Sequence, residues 1–327
     1  MKFSIFDHME RGCAPLHELY ENRLQLLELA DELGFHCYHK AEHHYTVLDV
    51  ASSANVFFAA AAQRTSRIRL GSLVYLLPFY NPQRLFEEIC LVDQLSAGRL
   101  DVGVGKGISP VEHRLWGLSP GEAKDSFDEI FAFLRSGFRG EHKQTLAVTP
   151  FQNFGPPLWY PGNVQYAGSH RLNTVIGGPT SGIGKAIAAY HSFVESAEQD
   201  WNPAVAQPTM GVSRHIYVAA TDEEARARVA SAYPKYSQNL LSLWHAHDEH
   251  PDPDPSVGGN VEIALGAEVL VAGSPDTVAA HIAAVSDQGV EYFIGSFAWG
   301  DLTASESHAS VQLFGREVMP RFTEDYQ

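Results

Sequence analysis

Residues 3–104 repeat one unit four times: a short β-rich run, a polar or aromatic turn, then an amphipathic helix. Phe3-Ser4-Ile5-Phe6 reads as the first strand. Leu16, Leu19, Tyr20, Leu24, Leu27, Ala30 and Leu33 recur at helical spacing until Gly34 supplies a left-handed stop. A second strand is expected over 35–40 and a second helix over 51–64. The near-continuous apolar run over 68–77 suits a parallel strand covered on both faces. Asn81-Pro82 then gives a cap and an N1 proline, in the preferred order, for a helix reaching Ala97 and closed by Gly98. Residues 100–104 form the fourth strand. Such alternation requires parallel pairing through right-handed crossovers, so the class is α/β.

The second half continues the theme less regularly. Four more strands are expected over 158–160, 173–176, 209–219 and 290–297, with helices beginning near Ser181, Thr221 and Ser274-Pro275. Eight strands alternating with helices fit a (β/α)8 TIM barrel with insertions, and a doubly wound sheet is the alternative. The irregular tracts at 141–157 and 244–259 read as insertions or lids. No Ser/Gly-rich spacer flanks them, so residues 1–327 are expected to form a single domain.

Composition narrows the partners. Lys plus Arg is 23 against 39 for Asp plus Glu, a formal net charge of −16 with no basic run. Phosphate backbones and anionic lipid surfaces would repel such a chain, so neither nucleic acid nor membrane is expected. The apolar stretches at 56–62 and 70–78 are far shorter than the ~20 residues of a spanning helix. The start, Met-Lys-Phe-Ser-Ile-Phe-Asp-His, has no signal-peptide core, and a cytoplasmic location is expected. Cys13, Cys37 and Cys90 show no ligand spacing and are expected to be buried free thiols.

Glu42-His43-His44 follows the second strand, where barrel loops meet the C-terminal face that carries chemistry. Alternation along a strand would point His43 and His44 apart, which argues against a metal cluster with His39, and no metal ligands are expected. A histidine there suits acid/base work or holding a polarised oxygen, and the other reading is a structural histidine. Gly103-Val-Gly-Lys-Gly107 fits neither nucleotide template. It leaves room for close approach to a flat ligand, with Lys106 offering a point charge. Residues 178–185 miss the phosphate-loop pattern as well, because Ala186 follows Lys185. Tyr160-Pro-Gly162-Asn163-Val164-Gln165 leads into a short helix, whose first N–H groups suit an anion, or else it is an Asn-capped turn. His245, His247 and His250 read as solvated loop residues.

Taken together and in order, these segments resemble the bacterial luciferase-like flavin-dependent monooxygenase family, of alkanal monooxygenase type. The matching pieces are Glu28-Leu-Ala-Asp-Glu-Leu-Gly-Phe35, Ala41-Glu-His-His44, Ile68-Arg-Leu-Gly-Ser-Leu-Val-Tyr-Leu-Leu-Pro78, Asp93-Gln-Leu-Ser-Ala-Gly-Arg-Leu100 and Gly103-Val-Gly-Lys-Gly107. Pro156-Pro-Leu-Trp-Tyr160, Gly273-Ser-Pro275 and Leu313-Phe-Gly-Arg-Glu-Val-Met-Pro320 add to them. The resemblance implies a TIM barrel that uses reduced FMN and O2 to oxygenate a small organic substrate through a flavin peroxide. The FMN would come from a separate NAD(P)H-dependent flavin reductase. It implies His43 as the catalytic residue and a non-prolyl cis peptide at Leu73-Val74. Phe6, Leu73 and Val74, with Tyr75 a further candidate, would wall the flavin. Lys106, Gly162, Asn163, Val164 and Gln165 would lie about its phosphate. It also implies a homodimer, paired through the helices after strands two and three. Gly105 stands where the light-emitting enzymes have cysteine, so light emission is not implied. The alternatives are a deazaflavin (F420)-dependent hydride-transfer enzyme, a non-catalytic flavin-binding protein and, more remotely, a metal hydrolase.

Overall fold

The structure is a computed structural model that describes residues 1–142 and 147–322. Its strands are β1 (Lys2–Asp7), β2 (Cys37–Lys40), β3 (Arg69–Leu76), β4 (Leu100–Gly105), β5 (Leu158–Trp159), β6 (Thr174–Ile176), β7 (Met210–Val218), β8 (Leu270–Gly273) and β9 (Tyr292–Ser296). Between them run α1 (Leu16–Leu33), α2 (Ala54–Arg64), α3 (Pro82–Leu95), α4 (Pro110–Leu115), α5 (Pro120–Phe138), α6 (Val164–Ser169), α7 (Ile183–Glu195), α8 (Asp222–His245), α9 (Val261–Gly266), α10 (Pro275–Ser286) and α11 (Ala304–Leu313).

All the strand pairings are parallel, in the order β5-β4-β3-β2-β1-β9-β7-β6. A parallel bridge between Trp159 and Asn173 joins the two ends. There Tyr160 N donates to Asn173 O at 2.8 Å and Asn173 N to Leu158 O at 3.0 Å. The ring is a TIM barrel.

Local signals fix the helix ends. Gly34 closes α1 at φ 84°, with its N–H shared between Ala30 and Asp31 carbonyls, and Asn81 caps α3 by accepting from Arg84 N. The eight strands expected from sequence are the eight that form the barrel. β8, pairing with the C-terminal half of β7, is a ninth strand that the sequence reading omits. Its four residues, Leu-Val-Ala-Gly, are too short and too small to separate by periodicity from the helices on either side. Cys37 and Cys90 are buried free thiols, whereas Cys13 is exposed, against expectation.

The barrel interior is layered. Near the N-terminal ends of the strands, the Tyr292 hydroxyl lies 2.8 Å from both Ser4 Oγ and His39 Nε2. Asp101 pairs with Arg69 at 2.6 Å and accepts from Trp159 Nε1 at 2.8 Å. Every polar group in this plug has a partner, so the bottom of the barrel is closed. Burial pushes the His39 imidazole down to about 4, so it is neutral there. On the Trp159 and Tyr292 rings of this plug, Leu73, Val175 and Ile294 pack with Phe6 and Val74 into an apolar floor beneath the open end.

Candidate active site

His43 follows the C-terminal end of β2, with His8 beyond β1 and Glu112 beyond β4 beside it. Residues 41–43 have left strand geometry, so the two histidines are aimed by their own contacts rather than by strand alternation as expected. They do separate. His43 N donates to Asp49 Oδ2 at 3.1 Å, and Asp49 is itself held by a buried ion pair with Lys40 at 2.9 Å. The His43 ring lies 5.7 Å from that of His8, and its Nδ1 is 3.6 Å from Glu112 Oε2. The His44 ring turns the other way, packing on Phe79 and Trp116, with Nε2 2.8 Å from Glu42 Oε1.

Two buried carboxylates organise this pair. Glu42 accepts from Leu76 N at 3.2 Å and from the Tyr80 hydroxyl at 2.8 Å, tying His44 to the end of β3. Glu112, on the first turn of α4, accepts from His44 N at 2.7 Å with one oxygen and faces His43 with the other. His44 is therefore a structural residue, and His43 is the one presented to the mouth, with about a fifth of its side chain exposed.

Three further groups at the mouth were not anticipated from sequence. His8, two residues beyond Phe6 on the same face of the β1 run, stacks edge-on to Phe6 at 4.7 Å. His215 on β7 lies 4.2 Å from the Tyr236 ring, and Tyr236 also borders His8. Burial first, then the nearby His43, His215 and Lys40, pushes His8 well below the usual imidazole range; burial alone takes His215 to about 4. Both are neutral near pH 7. The period-2 spacing of Phe6 and His8 was a usable signal, while nothing local to His215, Tyr236 or Glu112 points at the mouth.

Of the four residues expected to wall the flavin, the structure brings three together. The peptide between Leu73 and Val74 is cis, as the resemblance implied. Phe6, Leu73 and Val74 share the apolar floor, but Tyr75 points out of the barrel, its hydroxyl bonded to Asn55 on α2. The glycines of 103–107 also need correction. A Cβ at Gly103 would lie 2.3 Å from Ser72 O, and one at Gly105 2.5 Å from Val74 Cγ2. These two glycines admit β3, whose register against β4 shifts between Ser72 and Tyr75, rather than a flat ligand.

Lys106 remains free for an anion: it is exposed, and no ion pair involves its ammonium among the described residues. The β4–β5 register pairs Gly103 with Trp159, so Lys106 and Gly162 each lie three residues beyond the same rung. Gly162 N reaches Val175 O at 3.2 Å, bringing in the end of β6 and Gly178; a Cβ at either glycine would meet open space. Asn163 Oδ1 accepts from Tyr166 N, capping a helix of six residues, so its side chain is engaged in the turn. Val164 and Gln165 open that helix.

Residues 1–292 match the family model described as luciferase-like monooxygenase. The chain belongs to that family. Relatives of the chain include a flavin-dependent monooxygenase, and the chain carries a TIM barrel with His43 at its mouth. It is 25% identical over 99% of its length to 96% of the oxygenase component of the flavin-dependent trigonelline monooxygenase of Acinetobacter baylyi. Among solved structures, it resembles the oxygenating constituent of Pseudomonas putida 3,6-diketocamphane monooxygenase in complex with FMN. The TM-score is 0.77 at 20% identity, covering 98% of each chain. The coenzyme F420-dependent tetrahydromethanopterin reductase of Methanopyrus kandleri has the same fold, with TM-score 0.71 at 16% identity over 98% and 99% of the two chains. Among the described residues no helix is long and apolar enough to cross a membrane.

Proposed function

We propose that the chain is the oxygenase component of a two-component system. It takes reduced FMN from an NAD(P)H-dependent flavin reductase and transfers one atom of O2 to a small organic substrate. The observation that carries this reading is the arrangement at the mouth, where His43 is held against Glu112 above the floor of Phe6, Leu73 and Val74. FMN, when bound, supplies the electrons that activate O2. The protein supplies the surroundings. The apolar floor and the neutral His8 and His215 exclude water and offer no ionised acid beside the reacting face. His43 holds or moves a proton at its imidazole, and Glu112 orients the ring. The free ammonium of Lys106, with the open backbone at Gly162 and the 163–165 turn, suits the FMN phosphate.

Thermal melting with FMN, riboflavin and oxidised F420 tests the cofactor. FMN at 100 times its dissociation constant should stabilise the protein by about 2.7 kcal/mol. Lys106→Glu should weaken FMN at least tenfold while leaving riboflavin within about twofold. Equal weakening of both would remove the phosphate assignment, and stabilisation by F420 alone would replace oxygen transfer by hydride transfer.

A further inference from the structure

A cavity of about 860 Å3 lies beside the mouth, on the outer side of the connection from β1 to α1. Residues 10–14, the start of α1, one face of α8 and the connection from β9 to α11 enclose it. None of the groups assigned above to flavin or to proton transfer lines it.

Its lining sorts into three zones. Leu19, Val47, Trp299 and Leu302 give an apolar body. Arg11 and Lys235 stand exposed at the rim, and neither side chain has a hydrogen-bond or ion-pair partner among the described residues. The other charged liners are already engaged: Arg23 with Asp7 at 2.6 Å and Asp301 with Arg228 at 2.7 Å. At the inner end is Glu10, only 3% exposed. Its Oε2 accepts from Asn239 Nδ2 at 2.9 Å and from Gly300 N at 3.0 Å, whereas Oε1 is buried with no partner among the described residues.

A buried carboxylate oxygen without a protein donor is rare in folded proteins. Burial also raises the Glu10 carboxyl to about 7, the direction expected for an acid short of donors. We propose that this cavity binds an amphipathic hydroxy acid: its carboxylate meets Arg11 and Lys235, its hydrocarbon body lies on Leu19, Val47 and Trp299, and its hydroxyl donates to Glu10 Oε1. The two free cations select an anion at the rim, and the apolar zone excludes a ligand that is polar throughout. The volume is in the range of pockets that enclose a small organic molecule. The site does not depend on the flavin reading, since neither His43 nor Lys106 contributes to it.

Isothermal titration calorimetry with 10-hydroxydecanoate, decanoate and 1,10-decanediol tests it on the purified full chain. The hydroxy acid should bind at least tenfold more tightly than either of the others. The exposed double variant Arg11→Glu/Lys235→Glu should weaken both acids at least tenfold and leave the diol unchanged. Glu10→Gln should bring 10-hydroxydecanoate to within about threefold of decanoate. His43→Ala should leave all three affinities unaltered. No binding of 10-hydroxydecanoate at millimolar concentration, or binding indifferent to the double charge reversal, would overturn the proposal. So would binding lost on His43→Ala, which would place the acid at the mouth instead.

Discussion

In the proposed reaction, His43 is the side chain at the mouth that faces the reacting groups, and its neighbours fix it. His43→Ala should leave the fold and flavin affinity intact and lower oxygenated product by a factor on the order of 100 to 10,000. A coupled assay of product and released hydrogen peroxide checks this, because oxygen that is not transferred should leave as peroxide; normal yield with normal leakage would remove the role. Glu112→Gln should lower turnover less, by roughly tenfold, since His43 keeps its place through Asp49 and loses only the facing carboxylate. The neighbouring His215 is held neutral, with its imidazole pushed from 6.5 to about 4. A group whose native pKa is lowered in this way takes up its proton more readily unfolded. Its contribution to stability is therefore complete above pH 6.5 and lost as pH falls from 6.5 towards 4. The shift corresponds to roughly 3 kcal/mol. Urea melts at pH 7 and pH 4.5 should show that His215→Phe loses less stability on acidification than the parent. An equal loss in both proteins would mean that His215 does not contribute.

Whole elements were legible where a local rule governs them. Gly34, Asn81-Pro82 and the apolar run of β3 carry their own instructions, and α1, α3 and β3 form within about two residues of the expected bounds. The glycines at 103 and 105 show the opposite case, because their reason lies on another strand. Sequence suggests a ligand there, while the structure puts Ser72 O and the Val74 side chain against them. This gives a paired prediction. Gly103→Ala forces Cβ to 2.3 Å from a backbone oxygen and should destabilise by roughly 1–3 kcal/mol or more. Gly121→Ala, near the start of α5 with no atom within 4 Å of the added carbon, should be neutral or stabilise by up to about 1 kcal/mol. Chemical denaturation of the two variants separates them, and similar midpoints would contradict the packing argument. The 141–157 tract read as a lid includes positions 143–146, which lie outside the described residues. Residues 244–259 continue α8 to His245 and then turn through a short 3-10 segment.

At the scale of the molecule, the alternation of eight strand-helix units is legible and fits a barrel, whereas the mouth depends on residues more than a hundred positions apart. His8 and Glu112 meet His43, and Tyr236 brings His215 near His8, only after the ring closes, which is why sequence yields His43 and not its surroundings. Assembly is the remaining question at this scale. The apolar run over 56–62 divides in the structure: Phe57, Phe58, Ala61 and Ala62 face the chain's own core, while Val56 is 71% exposed. On α3, Leu91 and Leu95 are also exposed, and Gln63 near the end of α2 reaches Leu95 O, so the two helices present apolar residues on adjoining outer faces. An apolar patch shared by neighbouring helices is covered most simply by the same patch of a second copy, because a two-fold axis matches a surface with itself. We therefore expect a homodimer through α2 and α3. Light scattering at micromolar concentration should give about twice the 36.0 kDa chain mass. Val56→Asp with Leu91→Asp, both on the outer face, should return the protein to a single chain mass without unfolding it, since neither side chain is part of the core. A parent protein of about 36 kDa would remove the dimer, and an unchanged double mass in the variant would move the interface to another face.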